Sequence, residues 1–282
     1  MNLSIIIVNY NTKDLLRRCL RSIYDRYTVN IRRYTIEIIV IDNGSTDGSQ
    51  GYIKDQILKI KNTNQKSKII GIFNKRNLGF AKAVNQGIKQ STGEYILLLN
   101  SDIITKQDSI KIMLDFVKKH PEVGVVGGRL LNPDGTIQGS CFYLPAVWRA
   151  IKEFWLGAKE ISFFKKYAPE GKKPVEVEAV MGAVFLIPKK VIGKVGLFDE
   201  HYFMYFEDLD YCRRVRKSGF KVYYLPKAEF IHYHGASGRQ ISQKTHRWLV
   251  ESSKIYHGEF KYWLITFIVW TGQKWQRFLK KI

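Results

Sequence analysis

The feature that most constrains the fold is a series of four short apolar runs near the start of the chain, each followed by a polar turn or a helical pattern. The runs cover residues 3–8, 37–41, 69–73 and 95–99. Continuous apolar character is typical of strands that are covered on both faces. Strands that alternate with helices favour a parallel sheet with right-handed crossovers. The pattern predicts an α/β fold of nucleotide-binding type, with a mostly parallel central sheet flanked by helices.

The pattern changes beyond this first part. Residues 129–175 mix aromatic residues with lysines and show no clear period. A long irregular insertion in a compact domain is usually functional or mobile. Strand character returns at 177–187 and at 221–225, and a helix is predicted over 208–217. The final residues, 241–282, are predicted to form a helical extension rich in aromatic and basic side chains.

Charge and cysteine content narrow the class of protein. Lys and Arg number 46 against 25 Asp and Glu, and the resulting net charge of +21 predicts attraction to polyanions such as nucleic acid, an anionic membrane face or nucleotide phosphates. Cys19, Cys141 and Cys212 are far apart and form no CxxC pair, so neither a zinc site nor a disulfide framework is predicted. The chain starts without a signal-peptide pattern, and no run reaches the roughly 18–20 apolar residues of a membrane span. We therefore expect a reducing, cytoplasmic setting.

A lone carboxylate follows the fourth apolar run, in the sequence Asn100-Ser101-Asp102. Ligands of open α/β sheets bind where strands end, and Mg²⁺ usually takes only one or two protein carboxylates together with substrate oxygens. Asp102 is therefore a candidate to hold a cation against a phosphate. The alternative is a solvated residue that caps the helix predicted to begin near Asp108.

The loops after the first three strands carry further polar residues. Asp42 ends the second strand, where it could accept hydrogen bonds from a base or ribose, or could belong to a turn that Asp47 caps. The first strand is followed by Val8-Asn9-Tyr10-Asn11, and neither GxGxxG nor a P-loop is present, which excludes those two phosphate-binding modes. After the third strand, Lys75 and Arg76 next to a helix start suggest a diphosphate site or an exposed basic turn.

Acids and histidines cluster in the last third of the chain. Glu207 and Asp208 lie among aromatic residues, where carboxylates have raised pKa values and make usable general bases. One of the two is expected to face a cleft, unless the acids of this segment pair with the arginines that follow. His232 and His234 project from one side of an extended segment, so either could reach a metal beside Asp102, or both could be satisfied core histidines.

Taken in order, these segments resemble a family 2 glycosyltransferase of GT-A fold, and specifically its rhamnosyltransferase-like branch. The resemblance covers about residues 1–240, and the ordered set is far more specific than any single motif. The matching segments are 4–11, 40–48, 77–81, 98–102, 134–138, 182–183, 198–200 and 207–213.

The resemblance implies roles by position. Asp42 is similar to the residue that reads the nucleoside, and Asp102 to the last acid of the metal-binding DxD motif. Asp208 resembles the catalytic base, and His232 the late metal ligand, with His234 as the alternative. The implied sites are catalytic residues Asp208 and Glu207; nucleotide-sugar-binding residues Val8, Asn9, Tyr10, Asn11, Asp42, Asn77, Gly79, Asn100, Ser101 and Asp102; and metal ligands Asp102, His232 and His234 for Mg²⁺ or Mn²⁺.

One departure matters, because the first acid of the DxD motif is Asn100 in this sequence. The metal therefore has one fewer carboxylate than the motif name implies. We expect the cation to be held weakly until the donor arrives.

The resemblance implies inverting transfer of a sugar from a nucleoside-diphosphate sugar, dTDP-L-rhamnose first and a UDP-sugar next, to a hydroxyl of a glycan or lipid-linked acceptor in cell-surface polysaccharide synthesis. The expected domains are a glycosyltransferase domain at 1–240, divided at 128/129 into donor and acceptor halves, and the extension at 241–282. The extension fits a helix lying on an anionic membrane face, or one packed on the catalytic domain or on a second subunit. Oligomeric state is left open.

Other classes explain less of the sequence. A basic nucleic-acid binder does not account for acids at the loop positions, and no nucleic-acid motif is present. A nucleotidyltransferase would need a Gly-rich basic loop directly after the first strand. A catalytically inactive sugar-nucleotide-binding scaffold remains as the alternative.

Overall fold

The computed structural model describes residues 2–24, 35–61, 68–158, 165–233 and 242–279. The strands are β1 (Asn2–Asn9), β2 (Thr35–Asp42), β3 (Lys68–Phe73), β4 (Tyr95–Asn100), β5 (Ile103–Thr105), β6 (Val123–Leu131), β7 (Ile137–Gln138), β8 (Cys141–Phe142), β9 (Val175–Val177), β10 (Ala179–Val180), β11 (Val184–Pro188) and β12 (Lys221–His232). The helices are α1 (Lys13–Ile23), α2 (Ser49–Lys61), α3 (Phe80–Gln90), α4 (Ser109–Lys119), α5 (Val147–Phe154), α6 (Lys189–Val195), α7 (Glu207–Lys217), α8 (Ser242–His257) and α9 (Glu259–Leu279).

The central sheet has the strand order β3-β2-β1-β4-β11-β6-β12-β5. The first four strands are all parallel, whereas β11 runs antiparallel to β4 and to β6. The chain moves outward from β1 through β2 to β3 and then returns to place β4 on the other side of β1. Such a reversal opens a crevice at the carboxyl ends of the two strands, where ligands of α/β sheets bind. The predicted mostly parallel sheet is confirmed, and β11 adds antiparallel pairs within it.

The apolar runs are continuous because helices cover both faces of the sheet. Along β1, Ile5 and Ile7 join one buried cluster, while Ile6 joins the cluster on the opposite face. Helix α3 lies so close to β1 that a Cβ at Gly87 would meet the Ile6 side chain at 2.6 Å. The close contact explains why a glycine stands in this helix despite its low helical propensity.

Strand β12 is longer than the predicted 221–225. It continues through Pro226 to His232, with a register shift against β6 between Leu225 and Glu229. A bulge allows a strand to accommodate a residue that cannot donate to the ladder. The extra length carries His232 to the edge of the sheet where β4 ends.

The C-terminal extension packs on the catalytic domain through one side of α9. Ile265 and Ile268 are buried against Ala150 of α5. Gln276 Nε2 donates to the carbonyl oxygens of Glu153 and Phe154, both at 3.0 Å. The predicted helical extension is confirmed, although the 240/241 boundary falls outside the described residues. Among the described helices, none is long and apolar enough to span a membrane.

Candidate functional site

A cavity of about 560 Å³ opens at the carboxyl ends of β1 and β4. The residues after these strands form its polar side. The start of α7 and one face of α8 close the other side. Of the predicted site residues, those that line the cavity are Val8, Tyr10, Asn77, Gly79, Asn100, Ser101, Asp102, Glu207, Asp208 and His232. Residues more than 200 positions apart in the sequence therefore meet at one site.

The other predicted residues lie elsewhere. Asn9, Asn11 and Asp42 are not among the residues that line the cavity, and His234 falls outside the described residues. Lys75 and Arg76 are exposed and do not line the cavity, so the interpretation as an exposed basic turn describes them better than a diphosphate site.

Asp42 is fully buried and its carboxylate serves the loop around it. Its oxygens accept hydrogen bonds from Asn9 Nδ2 at 3.0 Å, Ser45 N at 2.9 Å and Gln50 Nε2 at 3.0 Å. Asp47 accepts from the backbone at the start of α2, as the capping interpretation predicts, and also from the first residue of α1. The loop after β2 is thus fixed by its own side chains before any ligand binds.

Asn43 is a site residue that the sequence analysis did not select. Its amide donates to Asn77 Oδ1 at 2.9 Å, and its carbonyl oxygen accepts from Asn74 Nδ2 at 3.0 Å and Leu78 N at 3.1 Å. Asn43 therefore joins the loops after β2 and β3 and itself lines the cavity. The sequence signal was hidden because an Asn-Gly pair is sufficiently explained by a turn.

Asp102 and His232 form a buried pair whose atoms are arranged for a cation. His232 Nδ1 lies 2.6 Å from Gln138 Oε1, and the Gln138 amide nitrogen donates to Asn132 Oδ1, which fixes the orientation of the Gln138 side chain. The Nδ1–H therefore donates, and in the neutral imidazole Nε2 presents its lone pair to Asp102 Oδ1 at 3.4 Å. This Asp102 oxygen is buried, and no described residue donates a hydrogen bond to it.

Two acceptor atoms that face each other at this distance fit a divalent cation between or beside them. A hydrogen bond from the second ring nitrogen is also the usual arrangement of a metal-ligating histidine. The described residues contain no group of three or more Asp, Glu, His or Cys side chains placed to hold a metal. The pair thus fits a cation that takes its remaining ligands from a diphosphate and water.

The Glu207-Asp208 pair begins α7 after an unusual backbone turn. Tyr205 and Phe206 both have left-handed conformations, with φ values of 71° and 67°. Side chains larger than glycine rarely adopt this region, and such strain clusters at functional sites. Both Glu207 and Asp208 line the cavity.

The two carboxylates have different partners. Asp208 accepts hydrogen bonds from the backbone N–H groups of Gly182 at 2.9 Å and Leu209 at 2.8 Å. Glu207 Oε2 is buried without a hydrogen-bond partner. Burial raises the pKa of Glu207, and the neighbouring Asp208 charge raises it further. Burial also raises the pKa of Asp208, whereas its backbone hydrogen bonds and the Lys166 ammonium oppose that rise. When the pair carries a single negative charge, that charge therefore lies on Asp208.

Asp210 pairs with the arginines that follow it, as the alternative interpretation of this acidic segment predicts. Its carboxylate is bound by Arg213 at 2.6 Å and by Arg214 at 2.7 Å. These arginines satisfy Asp210 on the far side of α7. The sequence analysis could not divide the acids between pairing and catalysis, because that division depends on which helix face meets the cavity.

One side of the cavity is an aromatic wall that the sequence analysis did not identify. Phe203 and Trp248 pack with ring centroids 4.6 Å apart and their planes tilted by 33°, and Phe142 and Tyr143 also line the cavity. These residues come from α8, the loop before α7 and the stretch around β8. No periodic pattern connects them, so only the folded structure brings them together.

A family model described as "Glycosyl transferase family 2" matches residues 4–175, more than half of the chain. The chain is 29% identical over 249 residues to N-acetylglucosaminyl-diphospho-decaprenol L-rhamnosyltransferase of Mycobacterium tuberculosis, a match that covers 82% of this chain and 76% of that relative. It is 25% identical over 261 residues to rhamnosyltransferase WbbL of Escherichia coli K12, covering 89% of this chain and 91% of WbbL.

Solved structures share the fold at much lower identity. The crystal structure of GalNAc-T7 with UDP, GalNAc and Mn²⁺ superimposes with a TM-score of 0.62 at 18% identity, covering 82% of this chain and 44% of that one. Mannosyltransferase PcManGT from Pyrobaculum calidifontis, in complex with GDP-Man and Mn²⁺, gives a TM-score of 0.60 at 15% identity, covering 96% and 72%. The predicted GT-A-like fold is confirmed by these structures.

Proposed function

This chain belongs to glycosyl transferase family 2, and on that basis we propose that it transfers a sugar, with inversion, from a nucleoside-diphosphate sugar to a hydroxyl group of a glycan or lipid-linked acceptor. The observation that carries the proposal is the cavity. Asp102 and His232, a pair suited to bind a cation, line one wall, and the carboxylate pair Glu207 and Asp208 lines another. Such an arrangement suits a displacement between a diphosphate leaving group and an activated hydroxyl.

Asp208 is the proposed general base. The N–H groups of Gly182 and Leu209 fix its carboxylate, and Asp208 holds the negative charge of the pair. It removes the proton from the acceptor hydroxyl as that oxygen attacks the anomeric carbon opposite the leaving group. One displacement inverts the anomeric centre. Positioned general bases typically contribute about 10²–10⁴-fold.

Glu207 has a supporting role in this proposal. Its raised pKa keeps it protonated when Asp208 is ionised, because two adjacent buried carboxylates do not readily carry two charges. A neutral Glu207 can donate a hydrogen bond while Asp208 accepts the proton.

Asp102 and His232 would hold Mg²⁺ or Mn²⁺ together with the donor diphosphate. The cation would stabilise the charge that develops on the departing nucleoside diphosphate. Asn100 and Ser101, which line the same wall, lie where they can hydrogen-bond donor oxygens. Asn43 and Asn77 hold the neighbouring loop in place.

The donor we propose first is dTDP-L-rhamnose, with UDP-sugars next. The names of the two relatives, both rhamnosyltransferases, support this choice. One of those names also states a lipid-diphosphate acceptor, which supports a lipid-linked saccharide in cell-surface polysaccharide synthesis. A reducing, cytoplasmic setting remains the expectation from the cysteine spacing.

The test combines binding and turnover on the full chain. Thermal shift is measured with dTDP-L-rhamnose, UDP-sugars and the free diphosphates, each with Mn²⁺, with Mg²⁺ or with EDTA. We expect stabilisation by one nucleoside class, larger with metal, and release of that diphosphate when an acceptor is added. Binding without any release under these conditions would favour the inactive scaffold, and the absence of any stabilisation would contradict the proposal.

A further inference from the structure

Helix α9 has two apolar sides, and only one of them is packed. Ile265 and Ile268 face α5, together with Gly272, whose missing side chain lets the Phe154 backbone approach. On the outward side Phe260 is 81% exposed and Phe267 is 60% exposed. Their separation and that of their neighbours follow the helical period. The exposed aromatic side chains of α9 are Phe260, Trp263, Phe267, Trp270, Trp275 and Phe278.

Helix α5 and the turn after it extend this outward side. Trp155 stacks on Trp275 with centroids 6.4 Å apart, and Trp275 stacks on Phe278 at 6.0 Å. Trp148 and Leu156 are also exposed. We name these side chains, with the exposed aromatic residues of α9, the aromatic face. Monomeric soluble proteins rarely expose so many large apolar side chains together, and such patches mark interaction sites.

Cations accompany the rings of the aromatic face. Lys274 Nζ lies 3.8 Å from the Trp270 ring centroid, Lys152 Nζ lies 5.1 Å from that of Trp148, and Lys254 Nζ lies 5.3 Å from that of Trp263. Glu259, the acid at the start of α9, is paired with Lys254 at 3.1 Å. Aromatic side chains interleaved with basic ones are typical of helices that lie in a lipid headgroup layer.

We propose that the aromatic face is a docking surface for an anionic lipid bilayer, on which α5 and α9 lie in the plane of the headgroups. Charge decides between this partner and a second copy of the chain. The cations beside the rings, Lys152, Lys254 and Lys274, outnumber the one acid of α9, Glu259, so a second copy of this face offers the rings mainly further cations. Anionic headgroups instead attract each cation.

The elements that carry the aromatic face are directly connected to residues that line the cavity. Tyr143 and Pro145 line the cavity directly before α5 begins. Trp248 and Leu249 line it from α8, and Gly258 joins α8 to α9. Docking would therefore hold the aromatic wall of the cavity beside the lipid. The inference stands on the surface alone and does not depend on the proposed transfer reaction.

The test is vesicle flotation of the full chain with phosphatidylglycerol–phosphatidylcholine vesicles and with phosphatidylcholine vesicles. The variant carries Phe260→Gln, Phe267→Gln and Trp270→Gln. The matched control carries Leu58→Gln and Ile137→Gln, two side chains that are as exposed as these but far from the aromatic face in the sequence, on α2 and β7. We expect the variant to lose at least about tenfold in partitioning to anionic vesicles, and the control to lose nothing.

Salt and oligomeric state complete the experiment. Binding to anionic vesicles should weaken as NaCl is raised from 0.1 to 1 M, since the Debye length shrinks from about 10 to about 3 Å. Sedimentation velocity measures the self-association of wild type and of the variant. Equal flotation of wild type and variant would overturn the proposal, and so would a dimer that the variant abolishes without any vesicle binding. Diphosphate release with a water-soluble acceptor should be equal in all chains, which separates this test from that of the catalytic proposal.

Discussion

The two walls of the cavity are built in different ways. The donor wall, at the ends of β1, β2 and β4, is a network of short amide and carboxylate side chains, in which Asn43 and Asp42 each accept or donate several internal hydrogen bonds. The acceptor wall consists of aromatic rings, a strained turn at Tyr205 and Phe206, and two buried carboxylates of raised pKa. The donor wall is a hydrogen-bonded network in which Asp102 Oδ1 is the exception, whereas the acceptor wall combines left-handed backbone with a buried Glu207 Oε2 that has no hydrogen-bond partner among the described residues.

The difference indicates a division of labour. A satisfied network gives a nucleotide a rigid surface and loses little conformational entropy on binding. Unsatisfied carboxylates and strained backbone cost stability, and proteins retain them where they are used for chemistry. We therefore expect substitutions on the acceptor wall to change turnover or the acceptor KM, and those on the donor wall to change donor affinity.

The largest effect is expected for Asp208→Asn on the acceptor wall. Loss of the base should lower kcat by about 10²–10⁴-fold, while the dissociation constant of the sugar nucleotide stays within about twofold, because the donor wall is untouched. Initial-rate transfer assays measure kcat, and isothermal titration calorimetry measures the dissociation constant. Asp55→Asn, an exposed carboxylate on α2, is the matched control and should leave both unchanged. Near-normal turnover of Asp208→Asn would show that the base lies elsewhere.

Asp102→Asn should act on the donor wall. Removal of the unpaired buried oxygen should weaken sugar-nucleotide binding in Mn²⁺ by at least about tenfold and leave binding in EDTA unchanged. Titrations with and without metal check this. If affinity falls equally in both conditions, Asp102 binds the donor directly and the metal assignment fails.

Trp248→Ala should separate the acceptor from the donor. Loss of its ring contact with Phe203 should raise the acceptor KM by about two- to tenfold, since aromatic pairs contribute about 0.5–1.5 kcal/mol beyond their buried area. The donor KM should not change. Trp263→Ala, which removes a tryptophan outside the cavity, is the control with a water-soluble acceptor. A change in donor KM instead would place α8 on the donor side.

Glu207→Gln should stabilise the fold above neutral pH. The folded pKa of Glu207 is raised, so below its ordinary pKa both states are protonated and pH has no effect. As the pH rises from there to the raised pKa, the unfolded state ionises first, and wild type loses up to about 1.4 kcal/mol per pH unit relative to the variant. Melting temperatures of wild type and variant over this pH range measure the difference in stability. Glu170→Gln, an exposed acid, should show none; parallel curves for Glu207→Gln and wild type would contradict the charge division.

Much of the donor wall could be predicted from the sequence. The strands that end at Asp42 and Asn100 are local apolar runs, and the residue after such a run must lie at the edge of the sheet. Asn77, Gly79 and Asp102 line the cavity as expected. Spacing did not reveal, however, that Asp42 would be covered by Ser45 and Gln50, because it does not show where a long polar side chain turns.

The acceptor wall depends on contacts between segments that are distant in the chain. The alternation of strands and helices in the first part of the chain and the acidic segment that holds Asp208 followed from the sequence alone, because hydrophobic period and turn chemistry are local properties. The GT-A-like fold was implied by the family resemblance. Only the tertiary structure decided that His232 faces Asp102, that the Trp248 ring packs on Phe203, and that the described residues leave one side of α9 uncovered. These pairings are set by register, a bulge in β12 and left-handed turns, where the packing of the whole molecule overrides local preference.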